Sequence, residues 1–413
     1  MIRSILNSNV GDSGKALILV AIVSTIGAAP LDAYAQTPTA WSRPIEGSIL
    51  HDASLLALAD EALLDLYNMR YDRADSLFAV IEAQHPDHPI GPFLASLTAW
   101  WKILPTLSVH DTSQDRDFLR QMDRVIKKSK GLERKKKNLF DAAFFKTAAH
   151  GFRGRLLSDR EEWLRAAQDG KAAMDHIFEL AEGDTSNADL LFGVGVYDYF
   201  AEVIPERYPV VSPLMYFFPS GNKERGLQRL EKAAHEGRFV SAEAAYFLVQ
   251  IFTSFQPDYA RSMEYISMLR ERYPGNALFH VMQGRIHFRW GQWVAAAAMF
   301  KEVVDQYDAN APGYVPPLVS QAHYYLGRRS MQQNKLTDAQ RHFSAVLRLE
   351  AQYDYDSFFR VFATLRSGMV HDLQGEREEA KRAYRRVLDQ RRYSSSRDRA
   401  KRYLKKPYGD QSP

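Results

Sequence analysis

Small and aromatic side chains recur at fixed intervals among polar ones through the C-terminal half of this chain. From Gly284 the positions are Gly284, Gly291, Trp293, Ala296 and Phe300; from Gly327 they are Gly327, Asn334, Leu336, Ala339 and Phe343. From Gly368 they are Gly368, Gly375, Arg377, Ala380 and Tyr384, so every series has the offsets 0, 7, 9, 12 and 16. Tyr71, Ala74 and Phe78 repeat the second half of that spacing and lie on one helical face, because 3 and 7 residues are close to whole turns. The small positions Gly226, Ser262, Ala296, Ala339 and Ala380 follow one another at 36, 34, 43 and 41 residues, with insertions such as Ala311–Pro317 in the longer intervals. A unit of this size predicts stacked helical hairpins, each too small to bury its own apolar stripe. Period-2 alternation flanked by turn signals is nearly absent, which argues against a sheet.

Elsewhere the pattern is also helical. Ala53–Asn68 and Asp72–Ala83 form a first hairpin, ended by the turn His85-Pro86-Asp87-His88-Pro89. Helices are expected over Phe93–Leu104, Arg116–Lys130, Lys136–Gly151 and Asp159–Glu182, with the repeat spacing hard to follow. From Asn187 to Gly221 a helix up to about Ile204 gives way to a stretch broken by Pro205, Pro209, Pro213 and Pro219, and a new helix starts at Asn222. The segmentation expected is 1–35 signal peptide, 36–51 flexible leader, 52–187 N-terminal hairpins, 188–224 helix plus aromatic insertion, 225–392 regular array, and 393–413 basic cap and tail.

Charge and composition sharpen this picture. The 413 residues carry a formal net charge of +4, but 127–137 alone carries +6 and 376–406 carries +8, leaving −10 on an otherwise acidic body. Arg3 and Lys15 precede the apolar run Ala16–Ala29, and Ala33-Tyr34-Ala35 supplies the small residues of a cleavage site, which reads as a secretory signal cut near Ala35. That run is short of the roughly twenty residues a span needs, an uncleaved anchor being the alternative reading, and no other stretch is apolar and long enough. The chain contains 0 cysteines, which excludes disulfides, thiol chemistry and a lipidated N-terminal cysteine. The expected location is exported, periplasmic or secreted.

These residues resemble the tetratricopeptide repeat family, which repeats about every 34 residues with small side chains at the helix crossing and aromatics beside them. Gly284/Ala296, Gly327/Ala339 and Gly368/Ala380 fill the small pair; Phe300, Phe343 and Tyr384 fill the aromatic position; Tyr273-Pro274-Gly275-Asn276 looks like the end-of-repeat turn. The likeness is good over about residues 225–390 and near 58–88. Phe192–Leu230, ending Pro219-Ser220-Gly221-Asn222-Lys223-Glu224-Arg225-Gly226-Leu227, also resembles a eukaryotic tetratricopeptide family linked to the mitochondrial outer membrane and lipid droplets. The resemblance implies an all-α, right-handed superhelical solenoid of helical hairpins with a concave groove, serving as an interaction scaffold rather than an enzyme. No cofactor or metal is expected.

Candidate chemistry is sparse. Metalloprotease, phosphate-loop and nucleophile-elbow motifs are all missing. Gly193-Val194-Gly195 lacks the third glycine of a dinucleotide loop and reads as close helix contact. His85 and His88 could grip a metal or simply sit in a solvated turn, and Asp354-Tyr355-Asp356 reads as an acidic helix start before Phe358. The resemblance places Phe247, Ile251, Phe255, Val281, Arg285, Phe288, Arg289, Tyr324, Arg328, Met331, Phe362, Leu365 and Met369 on the inner face. Guanidinium groups among aromatics there suit an acidic or C-terminal peptide. Tyr208, Tyr216, Phe217 and Phe218 of the insertion form a second candidate surface, as a lid or membrane contact. The function expected is an exported scaffold binding a protein partner in its groove, in envelope assembly by fold-level analogy. The alternative is a binder of anionic lipid or glycan at the envelope through 127–137, which otherwise reads as a solvated helix–turn–helix junction around Gly131, and through 385–406. Nucleic acid is not an expected partner of an exported chain.

Overall fold

The computed structural model describes residues 48–49, 52–183, 188–207 and 220–410. Seventeen α-helices and no strand occur among the described residues. In chain order they are α1 (Ala53–Tyr67), α2 (Tyr71–Gln84), α3 (Ile90–Ile103), α4 (Asp115–Lys135), α5 (Leu139–Asp159), α6 (Trp163–Gly183), α7 (Ala188–Arg207), α8 (Lys223–Glu236) and α9 (Ser241–Gln250). Then come α10 (Tyr259–Arg272), α11 (Ala277–Arg289), α12 (Trp293–Asp308), α13 (Pro316–Gln332), α14 (Leu336–Leu349), α15 (Phe358–Leu373), α16 (Arg377–Asp389) and α17 (Ser396–Lys405). The expected signal peptide and most of the expected leader lie outside the described residues. No described helix is long and apolar enough to cross a membrane. Contacts sort the helices into two compact units, an N-terminal one reaching to residue 273 and a C-terminal one of residues 102–112 and 274–410.

In the C-terminal unit the spacing becomes a specific contact. A Cβ added at Gly284, Gly327 or Gly368 would meet the ring of Phe300, Phe343 or Tyr384 at 2.8, 2.7 and 2.6 Å. Offset 0 and offset 16 therefore touch: the ring fills the space that glycine leaves empty, and all three rings are buried. Offset 7 is the hairpin turn, where Gly291, Asn334 and Gly375 take left-handed φ of 80°, 58° and 79°, conformations open to Gly and Asn. Offset 9 starts each second helix, α12, α14 and α16. The N-cap of α11 is Asn276, whose side chain accepts the Phe279 N–H at 3.1 Å, and α15 is capped by Ser357. A 3₁₀ turn, Leu104–Val109, packs on α13, and His110 stacks on Tyr355 with centroids 4.9 Å apart. The basic tail forms α17, which covers α16 through Ala400 and Tyr403.

The N-terminal unit keeps the same geometry under altered residues. Ala62, Met69 (φ 60°), Ala74 and Phe78 set the α1–α2 hairpin. Gly154, Glu161 (φ 63°) and Ala166 set α5–α6, where Gly170 replaces the aromatic at offset 16. In α7–α8 the small pair is Gly195 and Gly226, 31 residues apart instead of 12, with the Pro-rich stretch between them in sequence. A Cβ on Gly226 would lie 2.5 Å from the Tyr199 backbone nitrogen and 2.9 Å from the Gly195 carbonyl, so Gly195 is a close-contact glycine as expected. Helix α9 ends in a π turn, Ile251–Phe255.

Two expectations fail here. Gly131 marks no turn; α4 runs through it to Lys135, and the chain turns at Lys136 and Asn138 (φ 53° and 45°) before α5 begins. His88 is not solvated: it is buried, its Nδ1 accepts the Ile90 N–H, and its Nε2 lies 3.2 Å from Asp141. Asp141 also accepts the Ser48 hydroxyl and the Ile49 N–H, tying the start of the described chain to α5.

Gly327→Ala should lower stability by about 1–3 kcal/mol, the cost of overpacking, in urea titrations. Phe343→Leu added to it should restore part of the loss, whereas purely additive losses would mean that the two sites do not touch. A second expectation concerns Glu243 at the start of α9, whose carboxyl accepts the Tyr67 hydroxyl on both oxygens (2.8 and 2.7 Å). Burial pushes Glu243 from 4.5 up to about 7 against the pull of Tyr67 and Arg155. A raised carboxyl holds its proton more tightly when folded, so its contribution is fully present below about pH 4.5 and is lost as pH climbs to about 7. Glu243→Gln should therefore gain at least about 1 kcal/mol on the wild type between about pH 5 and about pH 8. Equal differences at both pH values would refute the shift.

Candidate functional site

The residue that follows the crossing glycine is Arg285 on α11 and Arg328 on α13, one repeat apart. Arg328 is half-buried and lies over aromatic rings: its guanidinium carbon is 4.4 Å from the Phe288 centroid and 5.9 Å from those of Tyr324 and Tyr325. Phe288 packs against Tyr325 at 4.6 Å and against Trp293 at 4.7 Å, so the shelf under the guanidinium is itself braced. Tyr324 contacts Phe358 and Phe359, continuing the aromatic layer onto α15.

Further arginines join it. Arg366 of α15 donates to the Tyr324 hydroxyl at 3.2 Å and lies 5.7 Å from that ring. Arg399 of α17 reaches the Met369 sulfur at 3.6 Å. Burial, with repulsion from Arg366 and Arg399, pulls the Arg328 guanidinium below its usual range, although Tyr324 and Tyr325 oppose this. An arginine stays protonated under such a pull. Arg285, Arg328, Arg366 and Arg399 have no carboxylate within ion-pair distance among the described residues. Several positive charges thus gather beside aromatic side chains, an arrangement that a bound carboxylate would relieve through paired N–H donors.

Of the residues expected to share the groove, Arg285, Phe288, Arg289, Tyr324, Arg328 and Met331 all belong to the C-terminal unit. Phe288 and Tyr324 are buried beneath Arg328, Arg285 and Met331 are half-buried, and Arg289 is exposed at the end of α11. Phe247 and Phe255 belong to the N-terminal unit, where Phe247 packs on Phe192 at 5.3 Å and Phe255 on Phe200 at 5.1 Å under Arg207. Tyr208, Tyr216, Phe217 and Phe218 lie outside the described residues. Arg366 and Arg399 were missed because neither follows a crossing glycine; Arg366 stands two residues before Gly368, and Arg399 sits in the cap helix.

The basic segments are partly engaged inside the fold. Lys128 donates to the Pro86 carbonyl and pairs with Glu82, and Lys135 pairs with Asp87. Arg391 stacks on Tyr355, Arg397 donates to the Gln390 carbonyl, and Arg392 pairs with Asp398. Lys127, Lys130, Lys136 and Lys137 are exposed. Asp356 is a staple, accepting the Arg391 N–H at 3.1 Å. Among the described residues, no group of three or more acidic or histidine side chains is placed to hold a metal ion.

Residues 157–310 match the family model Iml2/Tetratricopeptide repeat protein 39, a span containing Phe192–Leu230, and residues 362–391 match the tetratricopeptide repeat model. Among solved structures the chain is similar to the human IFIT1 dimer with m7Gppp-AAAA, at 15% identity over 78% of this chain and 68% of that one, with a TM-score of 0.44. It is also similar to the C-terminal part of a TPR repeat-containing protein from Cytophaga hutchinsonii, at 14% identity over 71% and 96%, TM-score 0.35. Yeast Tom70 follows at 12% identity over 86% and 95%, TM-score 0.23. No curated protein matches the chain in sequence.

A structural arginine and a binding arginine differ in what their loss costs. Arg328→Met keeps the stem on Phe288 and removes a charge crowded by Arg366 and Arg399. Its melting temperature should stay within about 4 °C of the wild type, roughly 1 kcal/mol for a domain of this size. A larger fall would mean that the guanidinium serves to hold the repeats together.

Proposed function

We propose that this chain of tetratricopeptide repeats is a non-catalytic interaction scaffold whose C-terminal groove takes an extended, acidic segment of a partner protein. Tetratricopeptide repeats support a protein as the partner. The observation that carries the charge preference is Arg328, laid on Phe288 with Arg366 and Arg399 nearby and no carboxylate within ion-pair distance among the described residues. A partner carboxylate would bridge these guanidinium groups, while neighbouring Phe or Leu side chains would settle on the aromatic layer. Such contacts combine a charge-assisted pair with buried anchors, the combination that concentrates binding energy at an interface. The signal-like N-terminus, with its apolar run Ala16–Ala29 and Ala33-Tyr34-Ala35, supports an exported location and hence a partner in the cell envelope. A role in envelope assembly would follow by analogy with the repeat architecture.

A fluorescein-labelled peptide alternating Asp or Glu with Phe and Leu tests the groove by anisotropy. The wild type should bind it with a dissociation constant on the order of micromolar, and Arg328→Gln with Arg366→Gln should weaken it by at least about tenfold, since hydrogen bonds to charged groups contribute about 1.5–3 kcal/mol each. Circular dichroism should be unchanged. Peptide affinity indifferent to both substitutions would sink the groove reading. Binding to anionic vesicles in place of the peptide, lost on removing 391–406, would transfer the function to the basic segments. Mature protein from an envelope fraction should begin at Gln36; recovery of the intact N-terminus in the cytosol would refute export.

A further inference from the structure

The N-terminal unit contains a cavity of about 250 Å³ that the groove does not involve. Its walls are almost entirely carbon, built by Leu94 and Leu97 of α3, Phe144 and Phe152 of α5, and Phe192 and Phe200 of α7. It exceeds the roughly 150 Å³ hole that takes up benzene and falls just short of drug-sized pockets, which start near 300 Å³.

Two features set it apart from a packing defect. Gly151 lines the cavity in the middle of α5, is exposed, and a Cβ added there would meet nothing within 4 Å. The crossing glycines are each explained by a ring or a backbone pressed against them, and Gly151 is not. It costs its helix about 1 kcal/mol relative to Ala with no close approach to justify it, and it leaves that part of the cavity wall without a side chain. The second feature is Arg155, one turn further along α5, which also lines the cavity. Its guanidinium is held over Trp100, Phe247 and Tyr246 at 4.8, 4.9 and 5.5 Å, makes no ion pair among the described residues, and leaves a buried Nε without a hydrogen-bond partner. The neighbouring acids are already engaged: Glu243 takes the Tyr67 hydroxyl on both oxygens, and Asp189 takes the Phe239 and Val240 N–H groups. A carbon-walled chamber whose unsatisfied polar groups are the Arg155 guanidinium and the Thr147 hydroxyl, both donors, fits an apolar chain ending in an anion.

We propose that this cavity binds a medium-chain fatty carboxylate, its hydrocarbon tail filling the space kept open at Gly151 and its carboxylate docking on the guanidinium of Arg155. A buried donor without a partner is costly, and a ligand oxygen would satisfy it through a charge-assisted hydrogen bond. The volume selects chains of medium length. The site is independent of the arginine groove, and its ligand is a small amphiphile rather than a protein.

Calorimetric titration of the full chain with sodium decanoate, below its micellar range, tests this against two probes of equal length: decanol and decyltrimethylammonium. Decanoate should bind at one site and more tightly than either. Arg155→Met should weaken decanoate by at least about tenfold and leave decanol nearly unchanged. Gly151→Leu, a substitution the open space accepts and helix propensity favours, should abolish binding of both while holding or raising the melting temperature. The proposal falls if decanoate does not bind the wild type, or if it binds Gly151→Leu as well as the wild type. It falls equally if Arg155→Met retains full affinity, or if the cation binds more tightly than decanoate and so assigns the head-group site to Glu243.

Discussion

A ring placed where a side chain would otherwise begin is the contact on which this architecture depends. Each hairpin of the C-terminal unit brings its two helices together at a glycine, and the aromatic sixteen residues later enters the gap to within 2.6–2.8 Å of an added Cβ. Neither partner works without the other. A larger residue at the crossing would push the ring out, and a smaller one at the aromatic position would leave a hole lined by buried carbon, with its own energetic cost. The left-handed turn at offset 7 completes the constraint, because it fixes how many residues separate the two helices and so which ring meets which glycine. Everything that projects from the inner face inherits its register from this lock.

That inheritance explains which parts of the molecule were legible in the sequence. Where the lock uses Gly and an aromatic, as at Gly284 with Phe300, spacing alone revealed both helices, the turn and the residue beside the crossing. Arg328 was found this way. The lock at Gly154 escaped notice because Gly170 stands at the aromatic position and Glu161 takes the left-handed turn, so the geometry persists without its usual residues. The lock between Gly195 and Gly226 was hidden by distance, since the insertion stretches an interval of 12 to 31 residues. Gly131 misled in the opposite sense, a glycine inside a helix that ends nothing. His88 misled because Asp141, more than fifty residues away, supplies a burial partner that no local pattern could announce. The cavity at Gly151 is a product of six helices meeting and has no signature in any one of them.

The distribution of charge follows a related division. Most cations of the basic segments that lie against the fold have found acids or carbonyls, as Lys128 and Lys135 have on the HPDHP turn. Arg160 forms paired hydrogen bonds to Asp115, and Arg225 does the same with Asp198, which also takes Arg229. These arginines are structural ties. Their charge is cancelled at the place where it is needed to join two helices, and a ligand would have to break an existing pair to reach them.

Arg328 and Arg155 are held by a different device. Each guanidinium lies on aromatic faces, Arg328 above Phe288 and Arg155 between Trp100 and Phe247, at distances of 4.4 to 4.9 Å. A ring face attracts a cation through its quadrupole and orients it, at about 0.5–2 kcal/mol, without neutralising the charge or consuming its in-plane N–H donors. The edge of the guanidinium stays available to an anion arriving in its plane. A lysine would not serve as well, because a compact, strongly hydrated ammonium gains little from a stacked floor and offers no paired donors. An arginine tied to a carboxylate and an arginine shelved on a ring can be equally well ordered. Only the second keeps the capacity to recognise an anion, and in each unit it stands beside a surface built to take carbon.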